Sequence, residues 1–153
     1  MATPIGASAM ATYGESMATE IRPADIARPA ANYAHAVLSE SANRWLHTSG
    51  VVPIAPDGTV PGAIGGQAEV VWTNIAALLR DAGMSADDIV SVTTYVVASE
   101  RLADDLPQVM AARDRALGGR RAASTLVTVP ALARPEWRME VAVIAAGAAD
   151  RVP

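Results

Sequence analysis

Residues 67–97 read QAEVVWTNIAALLRDAGMSADDIVSVTTYVV, and this stretch decides the fold. Ala68, Val71, Trp72, Ile75, Leu78, Leu79 and Ala82 recur at steps of three and four, which gathers them on one face of a helix over Gln67–Ala82. Gly83 suits the left-handed position just past a helix C-terminus. Ser85-Ala86-Asp87-Asp88 reads as a single capped turn. The chain then changes composition: Ile89–Val97 is dense in Val, Thr and Tyr, the signature of a strand. Helix, tight turn and strand within 31 residues describe a unit whose helix packs back on its own sheet.

Working outward, Tyr33–Leu38 and Arg44–Val52 read as short strands separated by a turn at Ser41-Ala42-Asn43. Pro53–Gly66 reads as loop, with Pro56-Asp57-Gly58 as a turn and Gly65-Gly66 as a breaker. Downstream, a second helix is expected over Leu102–Leu117. Asp104 or Asp105 would cap it, Pro107 would fall in its first turn, and Gly118-Gly119 would end it. Leu106, Val109, Met110, Arg113 and Leu117 share one of its faces. Two strands follow, Ala123–Val129 and Arg138–Ala146, with a turn at Ala133-Arg134-Pro135-Glu136. The order β-β-α-β-α-β-β predicts a single α+β domain, a mixed sheet with two helices on one face. Residues 1–28, rich in small and polar residues and without a sustained period, are set apart as a flexible or loosely docked N-terminal extension, the alternative being a segment that lies along a neighbouring subunit. They contain two alternative starts, Met10 and Met17. The domain proper is placed at 29–147 and a tail at 148–153.

Alternation in the last two strands assigns their faces. Thr125, Val127 and Val129 are expected under the helices together with Met139, Val141 and Val143. Ser124, Leu126, Thr128, Glu140, Ala142 and Ile144 are expected on the opposite face. A sheet face carrying Leu and Ile calls for a cover, and a second copy of the chain would supply one. Composition points the same way: 51 % hydrophobic residues against 18 % charged is rich for a monomer of 153 residues.

The residue inventory excludes several chemistries. There is no Cys, so disulfides, thiolate nucleophiles and Cys-ligated zinc are out. All twelve basic residues are Arg, which removes Schiff-base lysines and the Walker phosphate loop, and Gly62-Ala63-Ile64-Gly65-Gly66 reads as plain loop. A net charge of −4 argues against nucleic acid as a partner held by bulk charge. No apolar run approaches the roughly 18–20 residues of a membrane span. The N-terminus lacks the basic start and apolar run of a secretory signal, so a cytoplasmic location is expected. Asp87-Asp88 and Asp104-Asp105 sit at helix starts, where the helix dipole explains them better than a metal. His35 and His47, the two imidazoles, read as structural, and a Ser-His pair of His47 with Ser124 has no local support. Glu140 is the exception. It lies in the apolar run Trp137–Ile144, and a carboxylate there must be solvated, paired with Arg138 or Arg121, or part of a site.

The ordered pieces Asn32-Tyr33-Ala34-His35-Ala36-Val37, Thr48-Ser49-Gly50, Pro56-Asp57-Gly58, Gln67, Asn74-Ile75, Leu78-Leu79, Ala82-Gly83-Met84-Ser85, Asp88-Ile89-Val90, Ala122–Val127, Leu132–Glu136 and Met139-Glu140-Val141 together resemble the reactive intermediate deaminase family, Rid or YjgF, also labelled endoribonuclease L-PSP and translation initiation inhibitor. The resemblance covers roughly residues 30–147. It implies a chorismate-mutase-like fold, a homotrimer whose three sheets form a central barrel, and clefts between subunits. The activity it implies is cofactor-free, metal-free hydrolysis of small enamines and imines such as 2-aminoacrylate to a keto acid and ammonia. An Arg then grips the substrate carboxylate, and a Tyr, a Gly backbone and a Glu place substrate and water. Tyr33, Gly50 and Glu140 match the last three. The Arg is absent: Ala123-Ser124-Thr125 stands where the family has Ala-Arg-Ser, and Leu126 replaces a common Cys, as in an Arg-lacking branch. Glu140 and Tyr33 are thus the candidate catalytic residues, and Ser124, Gly50, Thr125 and Arg121 the candidate substrate contacts. The expected activity is that of an enamine or imine deaminase, inefficient on 2-aminoacrylate. The alternative is a non-catalytic trimer that binds a small molecule or a partner, and ribonuclease activity ranks third.

Overall fold

Among residues 18–149, which the computed structural model describes, the apolar helix stripe is the centre of the core. Residues 1–17 of the expected extension, with both alternative starts, and residues 150–153 of the tail lie outside the described residues. The first helix, α1, runs Ile64–Asp81 and starts ahead of the expected Gln67. Ile64, 2 % exposed, explains the difference: it extends the stripe of Ala68, Val71 and Ile75 by one turn, so the two glycines are carried inside the helix. At the other end Gly83 adopts φ 64°, the Met84 amide donates to the Leu79 carbonyl at 2.8 Å, and the Gly83 amide donates to that of Arg80 at 3.0 Å. This is the Schellman arrangement that the left-handed residue permits. Ser85 and Asp88 then close a reciprocal capping box around a 3-10 turn, Ala86–Asp88.

The remaining elements are β1 (Ala18–Ile21), β2 (Ala36–Ser39), β3 (Arg44–His47), β4 (Ile89–Val97), α2 (Leu102–Ala116), β5 (Ala123–Val129) and β6 (Met139–Gly147). A four-stranded sheet has the order β3-β6-β4-β5, with β6 antiparallel to both neighbours and β4 parallel to β5. The parallel pair is possible because α2 forms the crossover between its strands. Both helices contribute to the same core as Val92, Val96, Val141 and Val143, so they cover one sheet face and the fold is the expected α+β domain. The two strands expected on either side of the Ser41-Ala42-Asn43 turn do not pair with each other. β2 instead pairs antiparallel with β1, in the stretch set apart as extension, as a separate two-stranded ribbon. Ser41 lies between β2 and β3 with φ 58°, a left-handed turn residue.

In α2, neither aspartate caps the helix. The N-cap position is Arg101, and Asp105 is 1 % exposed, turned inward to pair with Arg138 and Ser99. Pro107 falls one turn later than expected, inside the helix, where its missing N–H leaves one carbonyl of the preceding turn without its usual donor.

Candidate functional site

The strand register decides which side chains can meet. Val92 of β4 pairs with Ser124 of β5 and Val143 of β6, and Thr94 pairs with Leu126 and Val141. Directly paired residues share a face, so Ser124 and Leu126 lie on the helix side with the core. Thr125 and Val127 lie on the open side with Thr93 and Tyr95, and Val127 is 39 % exposed there. The assignment expected for β5 is therefore inverted, while that for β6 holds: Met139, Val141 and Val143 face the helices and Glu140 faces out beside Tyr95. The parallel pairing with β4 imposes this phase, and Ser124, Thr125 and Thr128 put a polar residue on each face, which blurs the apolar contrast by which to read it.

Glu140 is positioned by a bulge. Thr48 and Val143 share hydrogen bonds, the Thr48 amide donating to the Val143 carbonyl at 3.1 Å and the Val143 amide to the Thr48 hydroxyl at 3.0 Å. Val51 and Val141 then exchange backbone bonds at 2.8 and 3.1 Å. Between these two rungs β3's continuation contains one residue more than β6. The surplus at Ser49-Gly50 makes a β-bulge, a device that re-aims backbone toward a site. It brings Gly50 onto the carboxyl group: a Cβ at this position would stand 2.7 Å from Glu140 Cδ. Only glycine allows the approach. Neither arginine considered for Glu140 goes to it. Arg138 pairs with Asp105, and Arg121 pairs with Glu20 at 3.4 Å and donates its Nε to the Tyr33 carbonyl at 3.0 Å. Among the described residues the Glu140 carboxylate has no ion-pair partner.

Tyr33 and Arg121 form a second group at the sheet edge. The Ala34 amide donates to the Ala122 carbonyl at 2.9 Å and Ala34 bridges Ala123, which holds the Tyr33 segment alongside β5. The Tyr33 hydroxyl accepts from the Ala30 amide at 3.4 Å, and the ring meets His35 edge-on at 5.7 Å between centroids. His35 Nε2 donates to the Ala27 carbonyl at 2.8 Å. His47 projects on the open side opposite Ile144, so it and Ser124 lie on different faces.

Ser124 joins neither group. Its hydroxyl is 3.5 Å from a guanidinium nitrogen of Arg113, which also donates to the Asn32 carbonyl at 3.0 Å and pairs with Asp114 at 2.8 Å. Arg113 was missed as a positioning residue, yet a signal existed: an arginine in the apolar stripe of α2 must find buried acceptors. Counting register from Ala34/Ala123 to Glu140/Tyr95/Val127, Tyr33 and Glu140 are five residues apart along the strands and three strands apart across them, about 20 Å within one chain.

No helix among the described residues is long and apolar enough to cross a membrane. The family model described as Endoribonuclease L-PSP matches residues 24–147. Protein MMF1, mitochondrial, of Saccharomyces cerevisiae is 33 % identical over 76 residues, 49 % of this chain and 50 % of that protein. The chain thus spans about half the length of the curated relative it matches. The solved structure of YyfB from Yersinia pestis, of the Rid protein family, is 31 % identical with a TM-score of 0.70 and covers 85 % of this chain and 98 % of its own. E. coli TdcF, solved with bound serine, is 21 % identical with a TM-score of 0.60, over 85 % of this chain and 99 % of its own, and shares the fold. On the strength of the matched span and the shared architecture, the chain belongs to the endoribonuclease L-PSP family, the Rid/YjgF proteins.

Proposed function

We propose that the protein is a cofactor-free deaminase of small imines or enamines, working in a cleft between copies of the chain. The observation that carries this reading is the Glu140 carboxylate, facing out of an apolar strand, held under the Gly50 backbone and lacking a cationic partner among the described residues. A carboxylate so placed can accept a proton from water. In the proposed step that water adds to the C=N carbon of an iminium. Glu140 returns that proton to nitrogen, and the C–N bond breaks as the carboxylate takes up the proton of the new hydroxyl, leaving a carbonyl and ammonia. Within one chain Tyr33 is about 20 Å away, so a second copy would have to bring its own Tyr33 edge to this face. A homotrimer of the kind the family resemblance implies would do so, and Val127 and Trp45, 39 % and 52 % exposed, are apolar groups for such a seam.

A second reading, a binding module without chemistry, is favoured by Ser124. It stands in the family's arginine position and is tied to Arg113 on the helix side, so no carboxylate clamp is contributed from that position. Ammonia release from imines generated in situ by an amino acid oxidase separates the two. The expected result is turnover that Glu140→Gln abolishes while the oligomer and melting temperature stay unchanged. Saturable keto-acid binding without ammonia supports the module instead.

A further inference from the structure

We infer that the hollow between the β1–β2 ribbon and the start of β5 is a binding site for a small monocarboxylate with an apolar side chain. Every described residue that lines it belongs to one chain, and it does not rest on the proposed cleft between copies. The hollow has a volume of about 570 Å³, within the range of small-molecule sites. Its charged lining is Glu20, Arg22, Arg28, Arg121 and His35. Three guanidiniums therefore face one carboxylate, a local excess of positive charge in a chain whose net charge is −4.

The way these groups are paired defines the ligand's charge. Arg22 and Arg121 both pair with Glu20, whose carboxyl is held below its usual value by the hydrogen bond from Arg22 and by Arg121. Two of the three cations thus already share an anion. His35 donates through Nε2 to the Ala27 carbonyl. Arg28 has no ion pair or hydrogen bond among the described residues, although it lines the same hollow. Its planar fork offers paired N–H groups to a carboxylate. Among the described residues Arg28 is the one guanidinium of the three without a partner, which suits one negative charge rather than two. The rest of the wall is apolar, with Ile21 and Ile26, 38 % and 47 % exposed, among the lining residues. A ligand with a branched aliphatic tail would cover them.

Isothermal titration of the intact chain with isovalerate, acetate and inorganic phosphate tests this. Isovalerate is expected to bind saturably, one per chain, and at least tenfold more tightly than acetate. Arg28→Ala should weaken it at least tenfold with an unchanged melting temperature, because that side chain holds nothing else. Glu20→Gln should tighten it several-fold, since a competing internal carboxylate is removed from Arg22 and Arg121. Absence of saturable isovalerate binding, affinity unchanged by Arg28→Ala, or binding of phosphate alone each overturns the assignment. Ammonia release from imines is read separately and is expected to be unaffected by Arg28→Ala, so failure here and failure of the deaminase reading are distinguishable.

Discussion

Gly50→Ala tests the chemistry proposed for Glu140 apart from the stability of the fold. Gly50 does not have a positive φ, so alanine fits the backbone. What it meets is the Glu140 carboxyl group, whose Cδ would be 2.7 Å from the new methyl against an ordinary contact of 3.4 Å or more. The atoms in the way, Oε1 first and then Cδ, are the far end of a flexible side chain, so the strand stays and the carboxyl group retreats by at least about 0.7 Å. A displacement approaching 1 Å costs up to about 100-fold in a positioned reaction, so a fall of roughly 10- to 100-fold in ammonia release is expected. Stability should change by less than about 1 kcal/mol, because Gly-to-Ala lowers the entropy of the unfolded chain while the displaced carboxyl remains near water. Steady-state ammonia release and thermal melting are measured side by side on the same preparation. Full activity with an unshifted melt would mean that the position of the Glu140 carboxyl is irrelevant to turnover.

Three further outcomes follow from the geometry. Arg113→Met should lower stability by about 2 kcal/mol in a denaturant titration, since it removes bonds to Asn32, Ser124 and Asp114, while half-exposed Asp114 can turn to water. Val127→Arg, on the open sheet face, should reduce the oligomer to single chains by light scattering if that face is the subunit seam. Asp57 accepts hydrogen bonds from the Thr59 hydroxyl at 2.7 Å and the Thr59 amide at 3.0 Å, which hold its carboxyl below its ordinary pKa. Its contribution to stability is therefore present above that pH and lost as pH falls through the lowered value. A carboxyl NMR titration should find the depressed midpoint, and Thr59→Val should move it upward.

Most of the fold was legible because its signals are periodic. The stripe of α1 and the runs of β4 and β6 are decided by burial, and β5 was bounded correctly residue for residue. What failed involved pairing across long separations. A strand pattern over Arg44–Val52 contains a change of phase: Leu46 and Thr48 share the helix side with Val51, which simple alternation forbids and the bulge at Ser49-Gly50 explains. The partner of β2 could not be read, since a four-residue strand does not declare whether it will pair with β1 or β3. At the candidate site, Glu140 was visible as a charge in an apolar run. The separation of Tyr33 from it, and the withdrawal of Ser124 to Arg113, depend on sheet order and register, which no local spacing encodes.

The bond from Arg121 to the Tyr33 carbonyl joins residues 88 positions apart in the chain. Closing so long a loop carries a large entropy cost that only the finished crossover through α2 can offset. The edge of the molecule that holds Tyr33 should therefore be the last to assemble and the first to open. Pulse-labelled hydrogen exchange during refolding would register this as late protection of the Ala34 amide, after those of α1 and β4.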